Sequence, residues 1–287
     1  MEKEVTTPVT FNGVEMPNMQ HALADSFIVR GFIQTIFGLD PVMLYNVLIA
    51  TAPWTDPSDQ DFKYRGRELA RQKAFLVVST TDAEPLINEE PTSLRRYGYP
   101  GFQYGSMRSY RDVRTVPVLH NIMEALRRHL VFNDRGVELN HAILTCYRGA
   151  DDNIGFHSDK MRDITANTPI ISFSLGETRE FHFGQADPKD KMQTITTHKF
   201  VLRSGDLFIL GPKTNAAYKH AIVPVDQEQR IRRDPRLKVG PRISIVLRDI
   251  ATIISRDEAR EKAAKTAEKR LLKPKGDKVG KRKPNAK

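Results

Sequence analysis

In NIGFHSDKMRD, residues 153–163, a histidine and an aspartate stand one residue apart: His157 and Asp159. Alone the pair is a weak signal, since H-x-D arises often by chance and also fits two unrelated polar residues in a loop. Extended backbone would send both side chains to one side. A further histidine, His220 in AYKHAIVP, lies 63 residues on, after an SGDLFIL strand and a GPKTN loop. Two imidazoles and one carboxylate can occupy one face of an octahedral metal and leave three positions open, which is the donor set of non-haem Fe(II) oxygenases. The open positions would admit a chelating 2-oxo acid and dioxygen, and the far carboxylate of such an acid would need a cation.

The strand RISIVLR near the end of the chain offers one. Arg242, Ser244, Val246 and Arg248 fall on one of its faces, and Ile243, Ile245 and Leu247 on the other. The second set is an ordinary core face. The first places two arginines on a strand that otherwise reads as buried, where a guanidinium is costly unless an anion meets it. A planar, bidentate carboxylate suits it best. Protein Asp or Glu, or a solvated face, would serve as well, and the strand alone does not choose.

These groups need a scaffold. NIMEALRRHL sets Ile122, Leu126 and Leu130 at helical spacing, and VELNHAILTCYRG reads as a strand ending at Tyr147. PIISFSLGETREFHFG reads as two strands with a Gly between them, and FVLRSGDLFILG as another hairpin-like signal. Many short strands with Gly turns, preceded by helices, predict an α+β protein with a two-sheet core of the jelly-roll class.

Composition bounds the rest. The 287 residues, 39% apolar and 28% charged, suffice for one large domain with additions or for two small ones. The single cysteine, Cys146, excludes a disulfide framework and a cysteine-rich zinc site; it fits a reducing, intracellular compartment and no disulfide-linked partner. MEKEVTTPVTFNG lacks the apolar core of a signal peptide. The apolar region Phe27–Ala52 is broken by Arg30, Gln34 and Asp40, so it reads as buried helices and no membrane is expected. A monomer is expected. Of the net charge of +10, a surplus of 8 sits in residues 255–287, with 13 Lys and Arg against 5 Asp and Glu. The chain divides into a flexible arm (1–25), an N-terminal helical extension (26–95), a core (96–254), and a basic helix followed by a disordered tail (255–287).

The ordered set Tyr147, H-x-D at 157–159, SLG at 174–176, SGD at 204–206, His220 and R-x5-R at 242–248 resembles the AlkB-type Fe(II)/2-oxoglutarate-dependent dioxygenases across roughly residues 100–250. The resemblance implies a double-stranded β-helix, with Fe(II), the co-substrate 2-oxoglutarate and O2 as cofactors. It implies His157, Asp159 and His220 as the catalytic metal ligands, and Arg242 as partner of the distal carboxylate of 2-oxoglutarate. It places Arg248 near the chelating end of the co-substrate, and Tyr147 and Ser244 within hydrogen-bonding reach of it. The implied reaction is oxidative dealkylation of nucleobases in DNA or RNA, as repair or demethylation, with release of formaldehyde. The alternative is an oxygenase of the same chemistry that hydroxylates or demethylates a protein or small molecule. Two positions depart from the family pattern: Thr145 stands where an Asn is usual, and Met161 where many nucleobase-active relatives have an acid, the next acid here being Asp163.

Residues 95–114, RRYGYPGFQYGSMRSYRDVR, interleave tyrosines with arginines and match the family's nucleotide-recognition lid. Aromatic faces stack bases and arginines hold phosphates, so Tyr104, Arg108, Tyr110 and the acid Asp163 are candidate substrate contacts. A Tyr-rich loop packed on the core would have the same composition. The run RIRRDPRLK at 230–238 is a backbone contact or a solvated loop. Ser255 and Glu258 form a capping-box pattern at the head of the tail, which is a solubilising segment, a phosphate-binding arm or a nuclear address. His182 in EFHFG reads as a strand-face residue and Cys146 as a small core residue.

Overall fold

The computed structural model describes residues 10–11, 14–15, 18–54, 63–64, 67–68, 71–78, 95–97, 108–128, 137–149, 151–161, 164–224, 242–251, 264–265 and 268. With strands numbered along the chain, two short ribbons stand apart: β1 (Thr10–Phe11) with β2 (Val14–Glu15), and β5 (Lys63–Tyr64) with β6 (Arg67–Glu68). Nine strands form the main sheet. Their spatial order is β3 (Met19–Leu23), β4 (Ser26–Val29), β15 (Leu207–Leu210), β12 (Ile170–Gly176), β17 (Arg242–Arg248), β10 (His141–Tyr147), β7 (Gln72–Val77), β9 (Arg108–Asp112) and β8 (Arg95–Tyr97). Neighbours run antiparallel except β7 and β9, which are parallel. Four strands form a minor sheet in the order β11 (Ile154–His157), β16 (Lys219–Ile222), β13 (Arg179–Ala186) and β14 (Thr194–Leu202).

The main sheet is covered on both faces, which is why its central strands read as nearly continuous apolar runs; all seven residues of β10 are buried. One face is sealed by α1 (Phe32–Phe37), α2 (Pro41–Thr51) and α3 (Pro117–Arg128). Ile243, Ile245 and Leu247 of β17 join Leu44, Leu48, Leu119 and Leu126 there in one apolar core. Sequence sets the helix limits. The Asp40 side chain accepts from the Val42 amide at 2.8 Å, just ahead of Pro41 at the first helical position of α2. The other face packs on the minor sheet: Ile28, Phe75, Ile143 and Phe208 meet Phe181, Phe183, Leu202 and Ile222. The result is a mixed, sheet-rich α+β fold, as expected, with a two-sheet core and helices on its outer side.

Several expectations change. Residues 19–25, read as part of a flexible arm, hold β3 and its turn, because β4 gives them a strand edge to pair with. The region 26–95 is helical only in part: β4 and β7 are strands of the main sheet, and the apolar run Phe27–Ala52 opens as strand β4 before turning helical. The two hairpin-like signals are crossovers between sheets. After SLG the chain leaves β12 for β13 in the minor sheet, and after FVL it leaves β14 for β15 in the main sheet. Gly176 and Gly205, with φ of 88° and 87°, make those turns. The helix read around Ile122 starts earlier, at Pro117. The capping box at Ser255 and the loop 230–238 lie outside the described residues; in the tail, residues 264, 265 and 268 are helical.

Candidate functional site

The site forms between the sheets, where β11 and β16 face β17. His157 and His220 are a cross-strand pair in register, which brings their ring centroids to 4.4 Å. Phe156, beside His157, rests over Gly184, where a Cβ would stand 2.8 Å from Phe156 Cε1 and 2.6 Å from the Ile195 carbonyl oxygen. The bare glycine thus lets β11 settle on the sheet. Phe181 stacks on the His220 ring at 5.4 Å and 13°. The chain then turns, and Asp159 comes within 3.7 Å of His220 (Oδ2 to Nε2).

Asp159 is held by two residues. Asn215, buried in α4 (Pro212–Ala217), donates to the Asp159 carbonyl and accepts from its amide, both at 2.9 Å. Arg248 Nη2 donates to Asp159 Oδ1. Burial raises the Asp159 carboxyl, but Arg248, His220, His157 and Lys73 outweigh it and hold it below the ordinary carboxylate range. Burial pulls His220 down to about 4 against the attraction of Asp159, so the imidazole is neutral at pH 7. His157 Nδ1 lies 2.8 Å from the Gly155 carbonyl oxygen. A carbonyl only accepts, so Nδ1 donates and Nε2 is the ring nitrogen turned away from this contact.

An ionised Asp159 and a neutral His220 are in the protonation states metal ligands need. As the side chains stand, no three His, Cys, Asp or Glu groups among the described residues are set to hold a metal ion. The three expected ligands have been brought together, but one Asp159 oxygen is engaged by Arg248. The donor chemistry fits iron, and Asp159 Oδ2 is the carboxylate oxygen on the side of His220.

The far end of the pocket lies along β17. Arg242 is wholly buried, its Nη2 donates to Ser174 Oγ at 2.9 Å, and its Cζ lies 5.3 Å from the Tyr147 ring centroid. Among the described residues its Nε and Nη1 have no hydrogen-bond partner. Burial pulls the guanidinium down to about 10, and neighbouring Arg179 acts in the same direction. Buried guanidinium donors left without an acceptor call for an anion, and a carboxylate fits. Between Arg242 and Arg248, Ser244 is flanked in register by Thr145 and Ser174, and its Oγ is 3.3 Å from Ser172 Oγ. The Thr145 departure therefore adds one hydroxyl to a row of hydroxyls. Tyr147, Arg242, Ser244 and Arg248 thus line one face of the main sheet, on the side of the histidines.

The sequence matches the 2OG-Fe(II) oxygenase superfamily over residues 51–248. The chain belongs to that superfamily. Among curated relatives, this oxygenase is 28% identical over 137 residues to the DNA oxidative demethylase ALKBH2 of Mus musculus, covering 47% of this chain and 51% of that protein. It is 29% identical over 132 residues to the Homo sapiens protein of the same name, covering 45% of this chain and 46% of that one. It is 32% identical over 68 residues to the DNA N(6)-methyladenine demethylase ALKBH1C of Arabidopsis thaliana, covering 23% of this chain and 14% of that one. The chain spans about half the length of the ALKBH2 relatives it matches.

The expected substrate contacts stand differently. Tyr104 and Asp163 lie outside the described residues, while Arg108 and Tyr110 fall on β9, whose backbone pairs with β8 and β7 at the edge of the main sheet. Arg114, from the same segment, is committed locally: its Nε and Nη2 donate to Asp112 at 3.0 and 2.7 Å. Met161 packs partly buried against the core between the sheets, which accounts for an apolar residue where an acid was looked for. His182 lies on β13 with Nε2 2.7 Å from Glu180 Oε2, and Cys146 is a buried core residue, both as expected. Sequence reading missed Asn215, Lys73 and Arg179. Asn215 sat in a loop with no partner visible in the sequence. Lys73 lies in strand QKAFLV, and only pairing with β10 shows that it shares the pocket face with Thr145.

Proposed function

We propose that this oxygenase catalyses Fe(II)- and 2-oxoglutarate-dependent oxidative dealkylation of nucleobases in DNA or RNA, releasing formaldehyde. The observation that carries the proposal is the wholly buried Arg242, with Nε and Nη1 unpaired among the described residues, on the main-sheet face turned toward the cluster of His157, Asp159 and His220. The names of the relatives, DNA demethylases, support the choice of substrate class.

In this reading the two sheets are the jaws of a double-stranded β-helix. His157, Asp159 and His220 hold the metal, with Asn215 and the Gly155 carbonyl fixing the approach of two of them. Arg242 takes the distal carboxylate of 2-oxoglutarate, Tyr147 and Ser244 offer hydroxyls along its length, and Arg248 neutralises charge near the metal. When bound, iron and 2-oxoglutarate use dioxygen to hydroxylate an N-alkyl C–H bond; the hydroxymethyl product then loses formaldehyde. Covering both faces of the main sheet keeps water out of the pocket. Tyr104, Arg108, Tyr110 and Asp163 contact the substrate, and the base must leave its stack to reach the cleft. The basic tail adds phosphate contacts or serves as a nuclear address.

The test is turnover. Purified chain is mixed with Fe(II), ascorbate, 2-oxoglutarate and single-stranded DNA or RNA carrying N-methylated bases, with an EDTA control. Metal-dependent formaldehyde together with succinate is expected. Succinate without formaldehyde would move the substrate to a protein or small molecule, and neither product from iron-loaded protein would overturn the proposal.

A further inference from the structure

We infer that Arg179 is a positioning residue for the co-substrate: it backs Tyr147 against Arg242 and ties that end of the pocket to the segment leading to His157. The inference rests on the co-substrate reading above.

Arg179 sits at the start of β13 and is wholly buried. Its Nε donates to Glu177 Oε2 at 3.2 Å. Nη1 donates to the carbonyls of Asp152 and Val223, both at 3.1 Å, and Nη2 to the carbonyl of Gly149 at 2.9 Å. One side chain thus joins three segments. Gly149 and Asp152 lie between β10 and β11, on the path from Tyr147 to His157, and Val223 follows β16, the strand of His220. The guanidinium carbon also lies 5.9 Å from the Tyr147 ring centroid, against 5.3 Å for Arg242. Tyr147 is therefore in contact with two buried cations, within the range where cations are drawn to aromatic rings. Burial lowers Arg179 as it does Arg242, and Glu177 is an ion-pair partner of Arg179.

The planar fork is what the geometry uses. Acceptors on separate segments are met by three nitrogens in one plane, which a lysine ammonium cannot reproduce. A mere structural staple would lower stability and weaken metal and co-substrate alike. A positioning residue for Tyr147 and Arg242 would act on 2-oxoglutarate selectively.

The experiment uses the full chain with Mn(II) as probe metal. Mn(II) affinity is followed by electron paramagnetic resonance and 2-oxoglutarate affinity by calorimetry, for wild type and Arg179→Lys. The expected result is co-substrate affinity weaker by about tenfold or more, with Mn(II) affinity changed by less than about twofold. Unchanged 2-oxoglutarate affinity, or equal losses for metal and co-substrate, would overturn the inference. If Arg179→Lys does not fold, hydrogen exchange of the Mn(II)-loaded wild type decides. On adding 2-oxoglutarate, amides at 151–153 and 222–224 are expected to slow together with those of β17; slowing in β17 alone would overturn the inference. Failure of the wild type to bind 2-oxoglutarate would overturn the co-substrate reading and this inference with it, whereas binding by wild type with unchanged affinity in Arg179→Lys overturns the inference alone.

Discussion

Strand β17 serves two cores with opposite chemistry. Toward the helices it presents Ile243, Ile245 and Leu247, each fully buried among apolar side chains. Toward the minor sheet it presents Arg242, Ser244 and Arg248, all buried, with Arg242 at 0% exposure. The helix side is a stabilising core: apolar area is removed from water and little polar needs a partner. The pocket side keeps buried cations at a desolvation cost and, among the described residues, leaves two nitrogens of Arg242 without an acceptor. Within one strand, the face that holds the fold together is separated from the face that would hold ligands.

Substitutions on the two faces should therefore separate activity from stability. The largest effect is expected at the metal end of the pocket. His157→Ala should bring formaldehyde release down to the EDTA control while the melting temperature stays close to wild type; normal turnover would remove the ligand assignment. Next comes the helix side. Ile245→Ala should lower unfolding free energy by about 2–5 kcal/mol through lost burial and a residual cavity, measured by urea denaturation. It should leave 2-oxoglutarate affinity in the folded fraction unchanged; an equal loss in both would join the two faces into one unit.

A smaller effect is expected from Ser174→Ala, which removes the acceptor of Arg242 Nη2 and leaves a buried donor unpaired. Co-substrate binding should weaken by about 1–3 kcal/mol in calorimetry. The smallest sits away from both faces. Asp25 accepts from the amides of Lys213 and Thr214 and from the Thr214 hydroxyl, at 2.9, 2.8 and 2.7 Å, and so caps α4. Burial raises its carboxyl, but these hydrogen bonds prevail and hold it below 3.8. A depressed carboxylate contributes its stability above the unfolded value and loses it as pH falls through the folded one. Asp25→Ala should cost about 0.5–2 kcal/mol at pH 7, and the difference from wild type should shrink below pH 3.8.

Much of this division was legible in the sequence. Strict alternation in RISIVLR told the two faces apart, because side-chain direction in a strand depends on nothing beyond the backbone. His157, Asp159 and His220 could be grouped because one pair is local and the third follows a recognisable strand. What stayed hidden depends on which sheet each strand joins. SFSLGETREF looks like a hairpin, and only the crossover into the minor sheet brings Arg179 beside Tyr147 and the carbonyls of Gly149 and Asp152. Asn215 and Asp25 escaped for the same reason. Asn215 acts on Asp159, 56 positions away, and Asp25 caps a helix nearly 190 positions on, contacts that no local pattern encodes.

The central claim is that Arg242 is buried for the ligand and not for the fold. The most direct test compares Arg242→Met with wild type, measuring the melting temperature without 2-oxoglutarate and then 2-oxoglutarate affinity with Mn(II) bound. The melting temperature should equal or exceed that of wild type, since an apolar side chain of similar length removes a buried charge. Co-substrate affinity should weaken by about a hundredfold or more. A destabilised variant that binds 2-oxoglutarate as wild type does would show that the arginine serves the fold, and would contradict the account.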